Sequence, residues 1–204
     1  MEKKFMSDSA LIVFLRKPEI AKVKTRLAQK IGDEKALDVY KILIDKTYQE
    51  SKNLNVDVLP FYTPEIPNSI PWDNAKPQIQ KGNDLGECMS NAFEYVFAHG
   101  YNKAVIIGSD CFSLKRVILE EAFERLNQND FVIGPSEDGG YYLLGMKKNN
   151  SEIFENIEWS REDVYAKTLE KIKGQKVKIL TRLNDIDTFE DLQKEPELFN
   201  RVKQ

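Results

Sequence analysis

Residues 10–15 read ALIVFL, and residues 16–26, directly behind them, read RKPEIAKVKTR. An apolar run this short cannot span a membrane, which takes about 20 residues, but it suits a strand covered on both faces. Outward from it, runs of strand length alternate with helical periods. After Gly32, the side chains of Leu37, Tyr40, Ile44, Thr47 and Tyr48 fall on one helical face. Residues 56–63 predict a second strand, ended by Pro64 and a proline-rich loop to Pro77, and residues 77–80 a short third. Asp84-Leu85-Gly86-Glu87 has the form of a capping box, opening a helix with Met89, Phe93, Val96 and Phe97 buried and a stop at Gly100. Residues 103–108 (KAVIIG) predict another buried strand, followed by a helix carrying Val117, Leu119, Ala122, Phe123 and Leu126. Residues 131–134 and 141–146 predict two strands around the turn Gly139-Gly140. Ser160-x-x-Asp163 can cap a helix running toward Gly174, residues 177–180 form a last strand, and Asp187-x-x-Glu190 can cap a terminal helix. Such alternation predicts an α/β fold with a mostly parallel sheet and helices on both faces. Ligands in such sheets sit beyond the carboxyl ends of the strands.

Composition bounds the function. The chain has 204 residues, 41% hydrophobic and 31% charged, with 33 acidic against 30 basic side chains for a net charge of −3. A chain this long buries about 70% of its extended surface on folding, so one domain over residues 1–204 is expected to hold together without staples. The slight negative charge draws neither nucleic acid nor anionic lipid to the whole surface, so neither is expected as a partner and any anion site is local. The first apolar run is shorter than a signal-peptide core and is followed by Arg16-Lys17 and Pro18. Two cysteines, Cys88 and Cys111, are too few for a disulfide framework. The single histidine, His99, excludes a His-cluster zinc site and argues against Ser-His-Asp or Cys-His catalysis. A reduced, cytoplasmic protein is expected. No feature marks an interface between copies.

Four segments carry candidate chemistry, and each has a plainer reading beside it. In residues 16–26 five cations and one acid follow a strand, where a phosphate would be held by guanidinium, ammonium and backbone N–H groups. Arg16, Lys17, Lys24 and Arg26 are the candidates; the segment lacks the glycines of a P-loop, and a solvated loop is the alternative. Gly108-Ser109-Asp110-Cys111 ends a buried strand on a carboxylate that can take a divalent cation, or simply cap the next helix. Gly134 to Tyr142 places Glu137 and Asp138 beside a glycine pair, which suits a catalytic base or a polar hairpin turn. Residues 184–191 (NDIDTFED) contain Asp187, as metal ligand or as half of a capping box. His99 is expected at a helix C-terminus and Cys111 as a small buried side chain.

Taken in order, K-P-x-x-x-x-V-K-T-R-L (Lys17 to Leu27), D-L-G-E (Asp84 to Glu87), G-S-D-C (Gly108 to Cys111), G-P-x-E-D-G-G-Y-Y-L-L-G (Gly134 to Gly145), W-S (Trp159-Ser160) and D-I-D-T-x-E-D-L (Asp185 to Leu192) resemble the radical-SAM/selenodomain-associated transferases. That family is also described as arsenosugar-biosynthesis glycosyltransferases. The resemblance covers about residues 10–195 and implies the nucleotide-diphospho-sugar transferase fold of GT-A type, a Rossmann-like three-layer α/β/α sandwich. More distantly, the chain is similar to molybdenum-cofactor and phospholactate guanylyltransferases. By this analogy Asp110 and Asp187 stand where metal aspartates occur, and Lys24 and Arg26 match the basic loop near the phosphates. Three positions depart from the pattern: Ala21 for a common glycine, Cys88 for an arginine, and Phe112 for a proline.

The expected activity is therefore metal-dependent glycosyl transfer from a nucleotide diphosphate sugar to a small-molecule acceptor. Mg²⁺ or Mn²⁺ would be held by Asp110 and Asp187, with Asp138 or Glu137 as base. Nucleotidyl transfer from a nucleoside triphosphate, releasing pyrophosphate, uses the same fold and carboxylates and is the alternative. A nucleotide-binding module without turnover is a third reading, motivated by Ala21, Cys88 and Phe112.

Overall fold

A computed structural model describes residues 7–72 and 75–203; Asp73 and Asn74, inside the expected proline-rich loop, lie outside the described residues. Its first strand, β1 (Ser9–Arg16), shows why ALIVFL carries no alternation. Leu11, Val13 and Leu15 enter one core, while Ala10 and Ile12 enter another on the opposite face. Successive side chains of a strand point to opposite faces, so a strand covered on both must be apolar at every position.

The chain continues through α1 (Thr25–Ile31), α2 (Asp33–Ser51), β2 (Asp57–Thr63), β3 (Gln78–Ile79), α3 (Leu85–Ala98), β4 (Lys103–Ile107), α4 (Arg116–Arg125), β5 (Phe131–Pro135) and β6 (Tyr141–Met146). A short 3₁₀ turn (Ser151–Phe154), α5 (Val164–Lys171), β7 (Val177–Ile179), α6 (Phe189–Gln193) and α7 (Pro196–Lys203) complete it. The sheet has seven strands in the order β3-β2-β1-β4-β6-β5-β7. Only β6 runs antiparallel to its neighbours, β4 and β5. Tyr40 and Ile44 of α2 and Leu119 and Ala122 of α4 cover one face, and Met89, Phe93 and Val96 of α3 with Ile172 after α5 cover the other. A third cluster joins Leu27 of α1, Val39 and Leu43 of α2, Phe112, Ile186, Leu192 of α6 and Leu198 of α7. This is the expected three-layer mixed sheet. No helix among the described residues is long and apolar enough to cross a membrane.

The strand order decides where a ligand belongs. From β1 the chain builds outward to β2 and β3, then returns to the other side of β1 with β4. The gap above β1 and β4 is the topological switch point, where open α/β sheets leave a crevice.

Local start signals were less exact than the strands. Ser160-x-x-Asp163 does not cap α5; the N-cap is Asp163, with no side-chain hydrogen bond, and Ser160 has a φ of 63°. Val117 lies on α4 but is 63% exposed, because the helix turns Leu119 and Ala122 toward the sheet. The capping box near residue 187 is shifted by one. Thr188 is the N-cap of α6 and exchanges hydrogen bonds with Asp191, so Asp187 stands outside the helix.

Candidate active site

The switch-point loop after β1 is held open from below. Tyr40 Oη accepts from the Arg16 amide at 2.7 Å and donates to the Arg16 carbonyl at 3.1 Å. The Gln80 side-chain amide donates to the Leu15 carbonyl at 3.0 Å and the Phe61 carbonyl at 2.9 Å, closing the ends of β1 and β2. Val23 and Leu27 are buried and pin the loop and the first turn of α1 to the core. Between them Lys24 adopts φ 49°, ψ 41°, a left-handed conformation that reverses the chain into α1. Ala21, at φ 59°, is left-handed as well, where glycine would sit without strain.

That geometry sends the Lys24 side chain inward until it is only 4% exposed. Its ammonium lies 2.8 Å from Asp110 Oδ1 and 3.1 Å from Asp187 Oδ1. Burial alone would pull this ammonium down, but the charges of Asp110 and Asp187 outweigh it and hold Lys24 above the ordinary lysine value. Arg26, one turn on, approaches Asp187 more loosely at 3.7 Å. Asp110 follows β4. Asp187 reaches it because the segment after β7 continues alongside β5, with the Leu183 amide donating to Pro135 O and the Glu137 amide to Leu183 O. The segment then crosses to β4, where the Ile186 amide donates to Asp110 O at 2.9 Å.

Sequence reasoning assigned no role to Asp185, which this crossing also delivers. Burial first, then the nearby charges of Asp110 and Asp138, push its carboxyl up to about 7, partly offset by Lys24. The signal was present as Asp185-Ile186-Asp187: alternation about a buried isoleucine sets both acids on one side of an extended segment. One buried side-chain atom, Asn184 Nδ2, has no hydrogen-bond partner among the described residues, and the buried Asp110 Oδ1 has none beyond the Lys24 ammonium. Both belong to this corner, and a stranded polar atom such as Asn184 Nδ2 marks a place for a ligand.

The remaining candidates divide. Asp138 Oδ1 accepts from the Gly140 amide at 3.0 Å and from the Ser136 hydroxyl, which fixes its carboxylate at the tip of the β5–β6 connection. Glu137 points the other way, into a 3.0 Å ion pair with Lys194 of the α6–α7 segment. Lys17 is drawn off to Glu19 and Glu65, which push its ammonium up to about 12, and does not join Lys24. Arg16 is exposed at the end of β1, with no ion pair among the described residues. Cys111 is buried, and burial followed by the Asp185 charge pushes its thiol up, as expected of an inert small side chain. His99 caps α3 with Nδ1 2.6 Å from Tyr95 O.

Two close contacts tie the segment after the 3₁₀ turn to α3 and to the β5–β6 connection. Gly86, in the first turn of α3, lies so close to the Trp159 indole that a Cβ would overlap it. Gly139, at φ 88°, likewise has no room for a Cβ against the Glu162 backbone, and the Tyr165 amide donates to its carbonyl at 2.9 Å. Trp159-Ser160 and the Glu137–Gly140 turn thus pack into one structure with the start of α3. Arg182 adds a brace, donating to Ser136 O at 2.6 Å.

Asp110 and Asp187 fit a hard divalent cation: two single, half-exposed carboxylates brought together at the switch point. Among the described residues no group of three or more His, Cys, Asp and Glu closes around one point. Magnesium-type sites often take one or two carboxylates and complete their shell with substrate phosphates and water.

A structure from Desulfovibrio desulfuricans G20, whose description assigns it provisionally to the nucleotide-diphospho-sugar transferases, superposes with a TM-score of 0.86 at 29% identity, covering 97% of this chain and 99% of the other. CMP:2-keto-3-deoxy-manno-octonic acid synthetase complexed with CTP shares the fold, with a TM-score of 0.59 at 9% identity, covering 96% of this chain and 99% of the other. The 2-phospho-L-lactate guanylyltransferase of Methanocaldococcus vulcanius is 28% identical over 144 residues, 69% of this chain, and the match spans 63% of that relative's length. The bacterial sequence family DUF2064, described as an uncharacterized protein conserved in bacteria, matches residues 51–161, from the end of α2 past Trp159. That match takes in more than half of the chain, including Asp110, Asp138 and the Gly86–Trp159 contact, and the protein belongs to the DUF2064 family.

Proposed function

We propose that this protein is a nucleotide-dependent transferase that moves a sugar from a nucleotide diphosphate donor to a small-molecule acceptor, with Mg²⁺ or Mn²⁺ at Asp110 and Asp187. The meeting of Lys24, Asp110 and Asp187 at the switch point, beside the unpartnered Asn184 Nδ2, carries the reading. The 29% identical relative described as a nucleotide-diphospho-sugar transferase, matched over nearly its whole length, supports it. The order of motifs supports the narrower grouping with the radical-SAM/selenodomain-associated transferases. Free Cys88 and Cys111 suit a cytoplasmic setting.

In this reading Lys24 and Arg26 hold the donor's phosphate oxygens from the β1 loop. A cation held by Asp110 and Asp187 would neutralise the charge left on the departing diphosphate. Asp138, fixed by Ser136 and the Gly140 amide, takes the proton of the acceptor hydroxyl as its oxygen bonds to the anomeric carbon. Glu137, bound to Lys194, serves the turn rather than the chemistry.

Nucleotidyl transfer is the second reading, favoured by the 28% identity to a guanylyltransferase. The two separate by leaving group. A thermal-shift panel of nucleoside diphosphates, nucleotide sugars and triphosphates with Mn²⁺, on wild type and Asp110→Asn, tests both. A ligand at a hundred times its dissociation constant adds about 2.7 kcal/mol, which is about 5–11 °C for a chain this size. Release of nucleoside diphosphate from the ligand that shifts the protein supports glycosyl transfer, and release of pyrophosphate supports nucleotidyl transfer. Equal shifts in Asp110→Asn overturn the metal assignment.

A further inference from the structure

The Lys24 ammonium stands between the two carboxylates that a shared metal ion would use, in contact with one oxygen of each. The lysine is buried, whereas Asp110 and Asp187 are 41% and 52% exposed, so a cation arriving from solvent meets the carboxylates on their open side and the ammonium behind them. The left-handed backbone at Lys24 and the buried neighbours Val23 and Leu27 fix the root of the side chain, which leaves the head group few places to go. A divalent ion cannot share these oxygens with an ammonium at contact distance without strong repulsion. Displacing the ammonium leaves a buried charge without a partner, which is costly unless another anion accepts it. Phosphate oxygens are such an anion, and three N–H donors suit them as well as carboxylates.

Building on the metal assignment above, we propose that Lys24 is the resident counter-cation of Asp110 and Asp187 and competes with the divalent ion for them. Tight metal binding then waits for a diphosphate to draw the ammonium off the carboxylates. Cation and diphosphate strengthen each other's binding by the same factor, since such coupling is reciprocal.

The test is Mn²⁺ alone, followed by the electron paramagnetic resonance signal of the free ion, on metal-stripped wild type, Lys24→Met, Lys24→Gln and Asp110→Asn. Lys24→Gln keeps N–H donors toward the carboxylates and guards against a methionine variant that does not fold, which circular dichroism detects. Both lysine variants should bind Mn²⁺ on the order of tenfold more tightly than wild type, the equivalent of about 1.4 kcal/mol, and Asp110→Asn should lose the ion. Equal Mn²⁺ affinity in wild type and the lysine variants, with loss only in Asp110→Asn, overturns the competition and leaves the metal assignment standing. Retention of Mn²⁺ by none of the chains overturns both.

Discussion

Replacing Asp110 and Asp187 together by asparagine should damage the fold more than replacing Lys24 by methionine, although both remove the two Lys24 ion pairs and the former adds only the loose, exposed Arg26–Asp187 contact. The reason is the unequal burial of the partners: Lys24 is 4% exposed, Asp110 41% and Asp187 52%. Removing the lysine leaves two half-exposed carboxylates, with only Asp110 Oδ1 buried and unpaired, a loss of about 1–2 kcal/mol, or roughly 2–8 °C at this chain length. Removing the carboxylates leaves a buried ammonium unpaired, which costs about 3 kcal/mol, or roughly 6–12 °C. Their loss also relieves repulsion on Asp185, which keeps the figure at the low end of the range for broken buried pairs. The lysine can escape by shedding its proton, and that sets a ceiling: from a normal value of about 10.4 to pH 7.5 the discharge costs about 4 kcal/mol. The sign with pH follows. In wild type the raised Lys24 value contributes stability below the unfolded lysine value and loses it as pH rises through the folded one. In the double variant the penalty is limited by discharge, so at pH 9.5 it shrinks to at most about 1.2 kcal/mol. Thermal unfolding by circular dichroism in EDTA, at pH 7.5 and 9.5, reads all of this. The triple variant lacking Lys24 as well should recover most of the double variant's deficit. If Lys24→Met melts lower than the double variant, or the triple is no more stable than the double, the charge asymmetry is refuted.

Three further outcomes follow from single contacts. Ala21→Gly should raise stability by roughly 0.5–1 kcal/mol, because the left-handed φ of 59° costs an L-residue more than glycine's added chain entropy; a lower melting temperature contradicts this. Gly86→Ala should force the Trp159 indole out of its seat and shift tryptophan emission to the red, since the other tryptophan, Trp72, is buried with Nε1 3.1 Å from Ser51 Oγ. An unchanged emission spectrum would mean that Trp159 is not seated against α3. Asp138→Asn should lower kcat by about 10²–10⁴ with little effect on melting, whereas Glu137→Gln should leave kcat within a few fold; the reverse order would move the base to Glu137.

Most of the sheet was legible because its signal is local. An uninterrupted apolar run such as residues 10–15 can hardly be anything but a doubly covered strand, and burial of both faces of β1 bears this out. Helix starts were harder, since Ser, Thr and Asp clusters offer several caps of nearly equal energy. Residues 187–191 contain both Asp187-x-x-Glu190 and Thr188-x-x-Asp191, and the second wins. Burial of Ile186 and its amide bond to Asp110 O fix the entry to α6 and leave Thr188 at the capping position. That one-residue difference matters for function, because a carboxylate consumed as a cap is not free to meet Lys24. Glu137 and Lys17 were beyond sequence reasoning for the same reason. Their partners, Lys194 and Glu65, are 57 and 48 residues away, and only the fold brings them within reach.

Asp185 shows what the sequence hides and why a cation belongs in the proposal. Around Lys24 stand Asp110 and Asp187 in contact and Asp185 behind them, with Asp138 close enough to raise Asp185 by its charge. Asp110, Asp187 and Asp185 thus outnumber the one ammonium, and Arg26 lies only at the rim. A diphosphate entering this corner adds negative charge where negative charge is already in excess, so Lys24 and Arg26 alone cannot make the encounter favourable. Either the diphosphate stays outside, or it arrives with positive charge of its own. In the proposed reading Asp110 and Asp187 would hold a divalent ion, whose positive charge would offset that of the phosphates. The same excess explains why the ammonium is kept there in the absence of substrate: without it, buried Asp185 and its neighbours would repel one another with nothing between them. The lysine that stabilises the empty site is then the group the substrate must move.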